Sequence, residues 1–263
     1  MLFRSTSDTA TATLSGTSMA SAHTTGAAAI LLAANPTMTP AAVQSTLVNN
    51  ATPCVLANVP PNSPDRLLYV SGPPTTLLAD TFETDTTWVV DPDGTDTATS
   101  GLWEKGDPEA VTYGGVITQL GTTVSGTNGL VTGRLAGANP NDHDVDDGVT
   151  SIQSSGIALP ATTEPLTLYF HWYLAHLANA TSADYFRVSV VVDPSLLGKA
   201  GATVIPVFTQ TGTPSDRSAS WKCSAVDLSD YAGQSIRLRF EAADLATSSL
   251  IEAGVDDIRI TLD

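Results

Sequence analysis

Two periodicities divide the chain. From Thr17 the run TSMASAHTTGAAAILLAAN is small and apolar almost all round, with Ala dominant and Asn35-Pro36 as its stop, which predicts a helix over Thr17–Ala34. A helix that is apolar on every side is a buried one. MTPAAVQSTLVNNATP predicts a second helix, with Thr39 as N-cap, Pro40 in the first turn and Val43, Leu47 and Val48 on one stripe. Two helices alone cannot bury the first, and residues 1–72 hold nothing else to surround it.

Beyond YVSGPPTTLL the pattern alternates. In PLTLYFHWYLA, Leu166, Leu168, Phe170, Trp172 and Leu174 share one face, and His171 falls on the other. DYFRVSVVVD groups Phe186, Val188, Val190 and Val192, and SIRLRFEAA sets Ile236, Leu238, Phe240 and Ala242 against Arg237, Arg239 and Glu241. Strands with one wet face predict an antiparallel sandwich. Residues 90–150 read as a long Asp- and Gly-rich stretch with few strand signals, and loops that long are functional or tied down.

The charge follows the same division. The chain of 263 residues has a formal charge of −16, yet residues 1–72 carry only Arg4 and Arg66 against Asp8 and Asp65, so the whole excess lies beyond them. All four Trp lie there too. The boundary is expected at the stiff Gly72-Pro73-Pro74, giving segments 1–72 and 77–263 with a linker at 73–76. So acidic a surface repels phosphates, which argues against nucleic acid and anionic membrane partners and favours cations. No run reaches the roughly 20 apolar residues of a membrane span. No charged n-region with a cleavage site follows Met1, so an export signal, if used, is missing from this chain. Cys54 and Cys223 lie one on each side of the linker; a single bridge is open, and two buried free thiols are the favoured reading.

The chemistry starts at SGTSMASAHTTG. A serine opening a helix has the helix dipole and free backbone N–H groups beside its hydroxyl, which suits an oxyanion, but capped and packed serines of this kind are far commoner than catalytic ones. His23, five residues on, cannot hold the Ser18 proton in good geometry. His143, His171 and His176 lie across the linker, and nothing in the sequence arranges a triad with them.

The stretch SGTSMASAHTTGAAAILLAANPTMTPAAVQSTLVNNATP resembles the region around the catalytic serine of subtilisin-like serine proteases, with the pattern G-T-S-M-A-[ST]-P-H-[VA]-[AS]-G, and SPDRLLYV resembles the close of the catalytic domain in the proteinase K branch. The resemblance covers about residues 5–70. It implies that Ser18 is the nucleophile, that Gly16, Thr17, Met19 and Ala20 form its turn, and that His23 is the in-motif histidine rather than the base. Ala22 stands where the family has proline, Thr24-Thr25 replace a more apolar pair, and Asp65 replaces the usual asparagine. The family's catalytic Asp and His and its oxyanion Asn precede the serine, so the resemblance places none of them in this chain.

Residues 77–263 resemble the jelly-roll domains appended to secreted bacterial subtilases and metallocarboxypeptidases, related to MAM-type sandwiches, through DTFETDTTWVVDPDGTDTATSGLWEKGDPE, GLVTG, DVDDGVTSI, ADYFRVSV and GVDDIRI. The expected fold is therefore mainly β: an antiparallel jelly-roll β-sandwich preceded by a two-helix remnant of a subtilase α/β catalytic domain. The resemblance implies adhesion, anchoring or stabilisation. Independently, DPDGTD spaces Asp91, Asp93 and Asp96 around a glycine turn, and DHDVDDG supplies Asp142, Asp144, Asp146 and Asp147. Loop carboxylates are how calcium sites are built, against the alternative of solvated Asp turns. In GVDDIRITL, period two puts Asp256 on the apolar face with Ile258 and Ile260, where a carboxylate needs a partner. Jelly-roll modules often hold calcium near the first and last strands, so Asp80 or Glu83 could join Asp256. Asn179 opens a glycosylation sequon.

Three functions follow. The leading one is the C-terminal portion of a secreted subtilisin-like serine endopeptidase acting on protein or peptide, carrying Ser18 with an accessory calcium-stabilised sandwich, and inactive or poorly active alone. The second is a non-catalytic module for a cell-surface protein or glycan, with Trp88, Trp103 and Tyr113 as a platform. The third is an atypical serine hydrolase or esterase using Ser18 with a histidine from the sandwich. Secretion follows from the resemblance, the acidic surface and the cost of calcium sites in the cytosol.

Overall fold

The computed structural model describes residues 16–56, 59, 65–70, 74–192 and 202–262. Gly72 and Pro73 of the expected linker, and Ser63-Pro64 of SPDRLLYV, lie outside them. The chain divides into two units, Met1–Pro74 and Thr75–Asp263. Thr75 and Thr76, read from the sequence as linker, already belong to the first sandwich strand.

The first unit holds α1 (Thr17–Ala34), α2 (Pro40–Asn50) and a two-stranded pair, β1 (Thr52–Pro53) with β2 (Arg66–Leu67). Gly16 caps α1 at φ 147°, a conformation that favours glycine. Thr39 Oγ1 caps α2 by accepting from Ala42 N at 3.2 Å, with Pro40 at the first position. Within this unit Ala27, Val43 and Ala51 are buried, while Ile30, Leu32, Val48, Leu67 and Val70 stay exposed. Among the described residues most of the apolar circumference of α1 is thus uncovered. Cys54 and Cys223 correct the favoured sequence reading: neither is a free thiol, and both are disulfide-bonded and half-buried.

The second unit is a two-sheet antiparallel sandwich. In chain order its strands are β3 (Thr75–Asp80), β4 (Trp88–Val90), β5 (Trp103–Gly106), β6 (Val111–Tyr113), β7 (Val116–Gln119), β8 (Gly129–Thr132), β9 (Gly148–Ser154), β10 (Ile157–Ala158), β11 (Leu166–His176), β12 (Tyr185–Val192), β13 (Thr203–Thr211), β14 (Lys222–Asp227), β15 (Ser235–Asp244) and β16 (Ile251–Leu262). One sheet runs β13-β12-β15-β9-β4 with β10 paired to β15; the other runs β14-β11-β16-β8-β5 with β3 paired to β16. β6 and β7 form a separate hairpin. The stretch 90–150, expected to be mostly loop, contains β5 to β8. Strands of three or four residues give period two no room to show.

The alternating residues of β11, β12 and β15 meet between the sheets: Leu168, Phe170 and Trp172 pack with Phe186, Val188, Leu238 and Phe240 in one continuous core. Trp172 stacks on Phe186 with centroids 5.6 Å apart. A smaller cluster of Val131, Tyr173, Ala175 and Ala219, flanked by Leu120 and Trp221, covers the other face of the β11-β16-β8 sheet. Tyr173 lies directly on Gly254, where a Cβ would stand 2.2 Å from its ring.

Candidate functional site

Ser18 sits in the first turn of α1, exposed, after Gly16. Met19 N and Ala20 N bond back to Gly16 O at 3.1 and 3.2 Å, which leaves the Thr17 and Ser18 N–H groups without an intrahelical acceptor beside the hydroxyl. The positive end of the helix and an accessible hydroxyl therefore coincide, as an attacking serine and its oxyanion require. Among the described residues no hydrogen bond is made to the Ser18 side chain. His23 lies exposed further along α1. Of the sandwich histidines, His176 is fully buried on Leu177 O at 3.0 Å, and burial holds its pKa below the usual value. His143 and His171 are half-buried.

The candidate metal ligands separate once their donors are followed. Asp91 Oδ1 accepts from Thr95 N and Asp96 N at 2.8 and 3.1 Å, an Asx turn. Asp93 meets the Arg239 guanidinium at 2.6 Å, and Gln153 binds the same guanidinium from the side. Asp96 is drawn inward to Ser151, taking its N–H at 2.5 Å and its hydroxyl at 2.7 Å; burial nevertheless pushes its pKa up.

The carboxylates near the first and last strands are also supplied. Asp80 accepts from Phe82 N and Trp88 Nε1, both at 2.9 Å. Glu83 accepts from Thr127 N, Asn128 N and Asn128 Nδ2. Asp256 takes Val124 N at 2.7 Å, Ser125 N at 3.2 Å and Asp257 N at 2.7 Å. The face expected for Asp256 is corrected. It pairs with His171 across the sheet, and the register shifts between Tyr169 and His171, with Asp257 at φ 47°. This bulge inserts one residue, so Val255 and Ile258 both face the core and Asp256 faces away from it, buried under the Val124–Ser125 segment.

Asp144 and Asp146 differ. Asp144 is 2% exposed; its Oδ1 makes no hydrogen bond, while the backbone N–H groups of Asp144 and Ile251 face the carboxyl. Burial, and then the charges of Asp146 and Asp244, push its pKa up to about 8. Asp146 is half-buried, and its pKa is raised by burial and by Asp147. Two residues that the sequence did not single out belong here. Asp244, at the end of β15, accepts from Ser249 N and Ser249 Oγ, and Glu252, 1% exposed on β16, accepts from Thr132 Oγ1 at 2.9 Å. Burial holds the Glu252 pKa well above the carboxylate range. Each stands alone within a strand, so no sequence spacing links it to the DHDVDDG loop. Among the described residues, no three of His, Cys, Asp and Glu are already grouped to hold a metal ion.

The aromatic trio is not brought together as a platform. Trp103 is a core residue, donating Nε1–H to Thr150 O at 3.2 Å, and Trp88 is half-buried and stacked on Phe240. Tyr113 is exposed on the β6-β7 hairpin. No helix among the described residues is long and apolar enough to cross a membrane.

Residues 2–88 match the subtilase family. An extracellular serine proteinase of Thermus sp. (strain Rt41A) is 56% identical over 64 residues, which are 24% of this chain and 16% of that protein, so the chain spans only a small part of its relative. Among solved structures, the K1 cleaved adhesin domain of Lys-gingipain from Porphyromonas gingivalis W83 is similar at 18% identity and a TM-score of 0.42, over 72% of this chain and 99% of that one. The CBM22-1–GH10 modules of Clostridium thermocellum xylanase 10B are similar at 14% identity and a TM-score of 0.40, over 72% and 28%. The segment that bears Ser18 is therefore similar to the subtilase family, and it is followed from Thr75 by an antiparallel β-sandwich.

Proposed function

We propose that this chain is the serine-bearing portion of a secreted subtilisin-like serine endopeptidase, with Ser18 as nucleophile and the sandwich as an accessory unit. The observation that carries the reading is the exposed Ser18 hydroxyl at the unpaired N–H end of α1, inside the stretch that is 56% identical to a serine proteinase. Ser18 Oγ attacks the scissile carbonyl of a protein or peptide, and the N–H groups at the helix start face the developing oxyanion. A general base has to come from subtilase sequence beyond the segment matched here, because no described side chain engages the hydroxyl. The uncovered apolar surface of α1 fits the same account: the remainder of a catalytic domain would bury it. Secretion is supported by the extracellular relative and by the disulfide-bonded cysteines, which persist in oxidising compartments.

The sandwich closes its own core and carries nearly all of the charge, so its part is to anchor or stabilise, with a cell-surface protein or glycan as partner. The test is fluorophosphonate labelling and casein hydrolysis by the longest natural chain that contains these residues, beside its Ser18→Ala variant. Labelling and hydrolysis that both disappear in the variant support the proposal. Hydrolysis that survives the substitution overturns it.

A further inference from the structure

One buried base of the sandwich takes no part in the chemistry of Ser18. His176, the last residue of β11, has no exposed surface, and it follows Leu174 on the strand face that packs into the core. Its Nδ1 lies 3.0 Å from Leu177 O, a carbonyl that can only accept, so Nδ1 carries the proton of the neutral ring. Nε2 is then the lone-pair nitrogen, buried and without a hydrogen-bond partner among the described residues. The neutral ring fits its place. A second proton has to go to Nε2, where the new N–H finds no acceptor and a charge is buried.

The same residue pins two turns at one end of the sandwich. His176 N bonds Arg217 O at 3.0 Å and Arg217 N bonds His176 O at 2.8 Å, a closed pair. Ala178 N donates to Asp216 Oδ1 at 2.8 Å, and Gly212 N to Asp184 O at 2.7 Å. These bonds stitch the turn 177–184, between β11 and β12, to the turn 212–217 that follows β13. The charged groups facing the imidazole are Arg217 and Asp216 from the second turn and Asp184 from the first. Asp184 is already engaged, taking Leu245 N at 2.7 Å on one oxygen and Thr181 N at 2.6 Å on the other, and Arg217 opposes a second positive charge. On β16 the residue paired with His176 is the uncharged Ile251, and Glu252 next to it points to the opposite face of the sheet.

We propose that His176 is an acid-sensitive latch: neutral, it closes the 177–184 and 212–217 turns over the end of the sandwich, and its protonation opens them while the sheets stay intact. Burial holds its pKa below the ordinary 6.5, so the opened chain takes up the proton more readily than the closed one. The closed state is therefore at full strength above about pH 6.5 and weakens as pH falls below it. The latch belongs to the sandwich and works without Ser18, so its failure leaves the peptidase reading untouched.

The experiment is amide hydrogen exchange of the full chain, read by mass spectrometry at pH 7.5 and 5 and corrected for intrinsic exchange rates, beside His176→Asn and His176→Phe. The first keeps a donor near Leu177 O, the second fills the space, and neither titrates. In wild type, peptides carrying Ala178, Gly212 and Arg217 should lose protection about ten- to thirtyfold at pH 5 while those of β12 and β15 hold. The same amides should change less than about threefold in either variant. Titration of the His176 ring by NMR needs no variant, and should show it protonating below the range of an ordinary histidine. Wild-type protection that holds at pH 5, an equal loss in a folded variant, a loss spread over both sheets, or a ring that titrates normally would overturn the assignment.

Discussion

The carboxyl of Asp256 offers a quantitative check on the bulge in β16. It has no exposed surface, and burial first, with the Asp257 charge adding to it, raises its pKa from 3.8 to about 6 despite the three N–H groups that face it. A folded-state value above the unfolded one means that its stabilisation is complete below about pH 3.8 and is lost as pH rises through 6. Linkage makes that loss about 2 kcal/mol between pH 4.5 and 8 for a wholly desolvated group. Val124 and Ser125, which cover the carboxyl, are only half-buried, and water reaching past them reduces the figure to about 1–2 kcal/mol. Asp256→Asn removes the titration while lowering stability at every pH, because an amide offers one acceptor oxygen in place of two. The assay is urea unfolding followed by tryptophan fluorescence at pH 4.5 and 8 for both proteins. Wild type should lose about 1–2 kcal/mol more than the variant over that range. Equal losses, or a wild type that gains stability relative to the variant towards pH 8, would refute the placement of Asp256 under the Val124–Ser125 segment.

Three further outcomes are expected. Gly254→Ala forces a Cβ to 2.2 Å from the Tyr173 ring and should destabilise the sandwich by about 2–3 kcal/mol in the same urea assay; a change below about 0.5 kcal/mol contradicts the packing. Glu252→Gln should leave stability near wild type at acid pH and surpass it in alkali, since the buried carboxyl is held protonated and its ionisation opposes the fold; identical alkaline melting curves would count against this. Asp93→Ala leaves Arg239, 7% exposed, with Gln153 as its side-chain partner and should cost about 1–3 kcal/mol with or without calcium; a cost that vanishes in chelator would mean that Asp93 serves an ion instead.

The long strands and both helices were legible because each repeats its period several times. The faces of β11, β12 and β15 could be written down residue by residue, and Thr17–Ala34 could be bounded from its composition and its Asn-Pro stop. What failed has a common cause, which is that a local pattern carries no information about its neighbours. Strands β5 to β8 are too short to alternate. Asp256 changed faces because one inserted residue at Asp257 inverts the parity of everything before it, and nothing in GVDDIRI announces the bulge. Asp91, Asp93 and Asp96 looked like one constellation in the sequence, yet a turn, an arginine from β15 and a serine from β9 pull them into three separate roles. Asp244 and Glu252 were invisible for the opposite reason, being isolated acids that only the sheet pairing brings near Asp144. The place of Ser18 in the first turn of α1 was legible from the composition of that helix, whereas the bonding state of Cys54 and Cys223 could not be read from their spacing.

The most direct measurement of the central claim is fluorophosphonate labelling of Ser18, read by mass spectrometry, in the longest natural chain containing these residues and in this chain alone. The account predicts rapid, stoichiometric labelling at Ser18 in the former, abolished by Ser18→Ala, and little or none in the latter, where no described side chain acts on the hydroxyl. Rapid labelling of Ser18 in the isolated chain would contradict the need for a base from outside it. No labelling of the longer protein, with its proteolysis intact in Ser18→Ala, would contradict Ser18 as nucleophile.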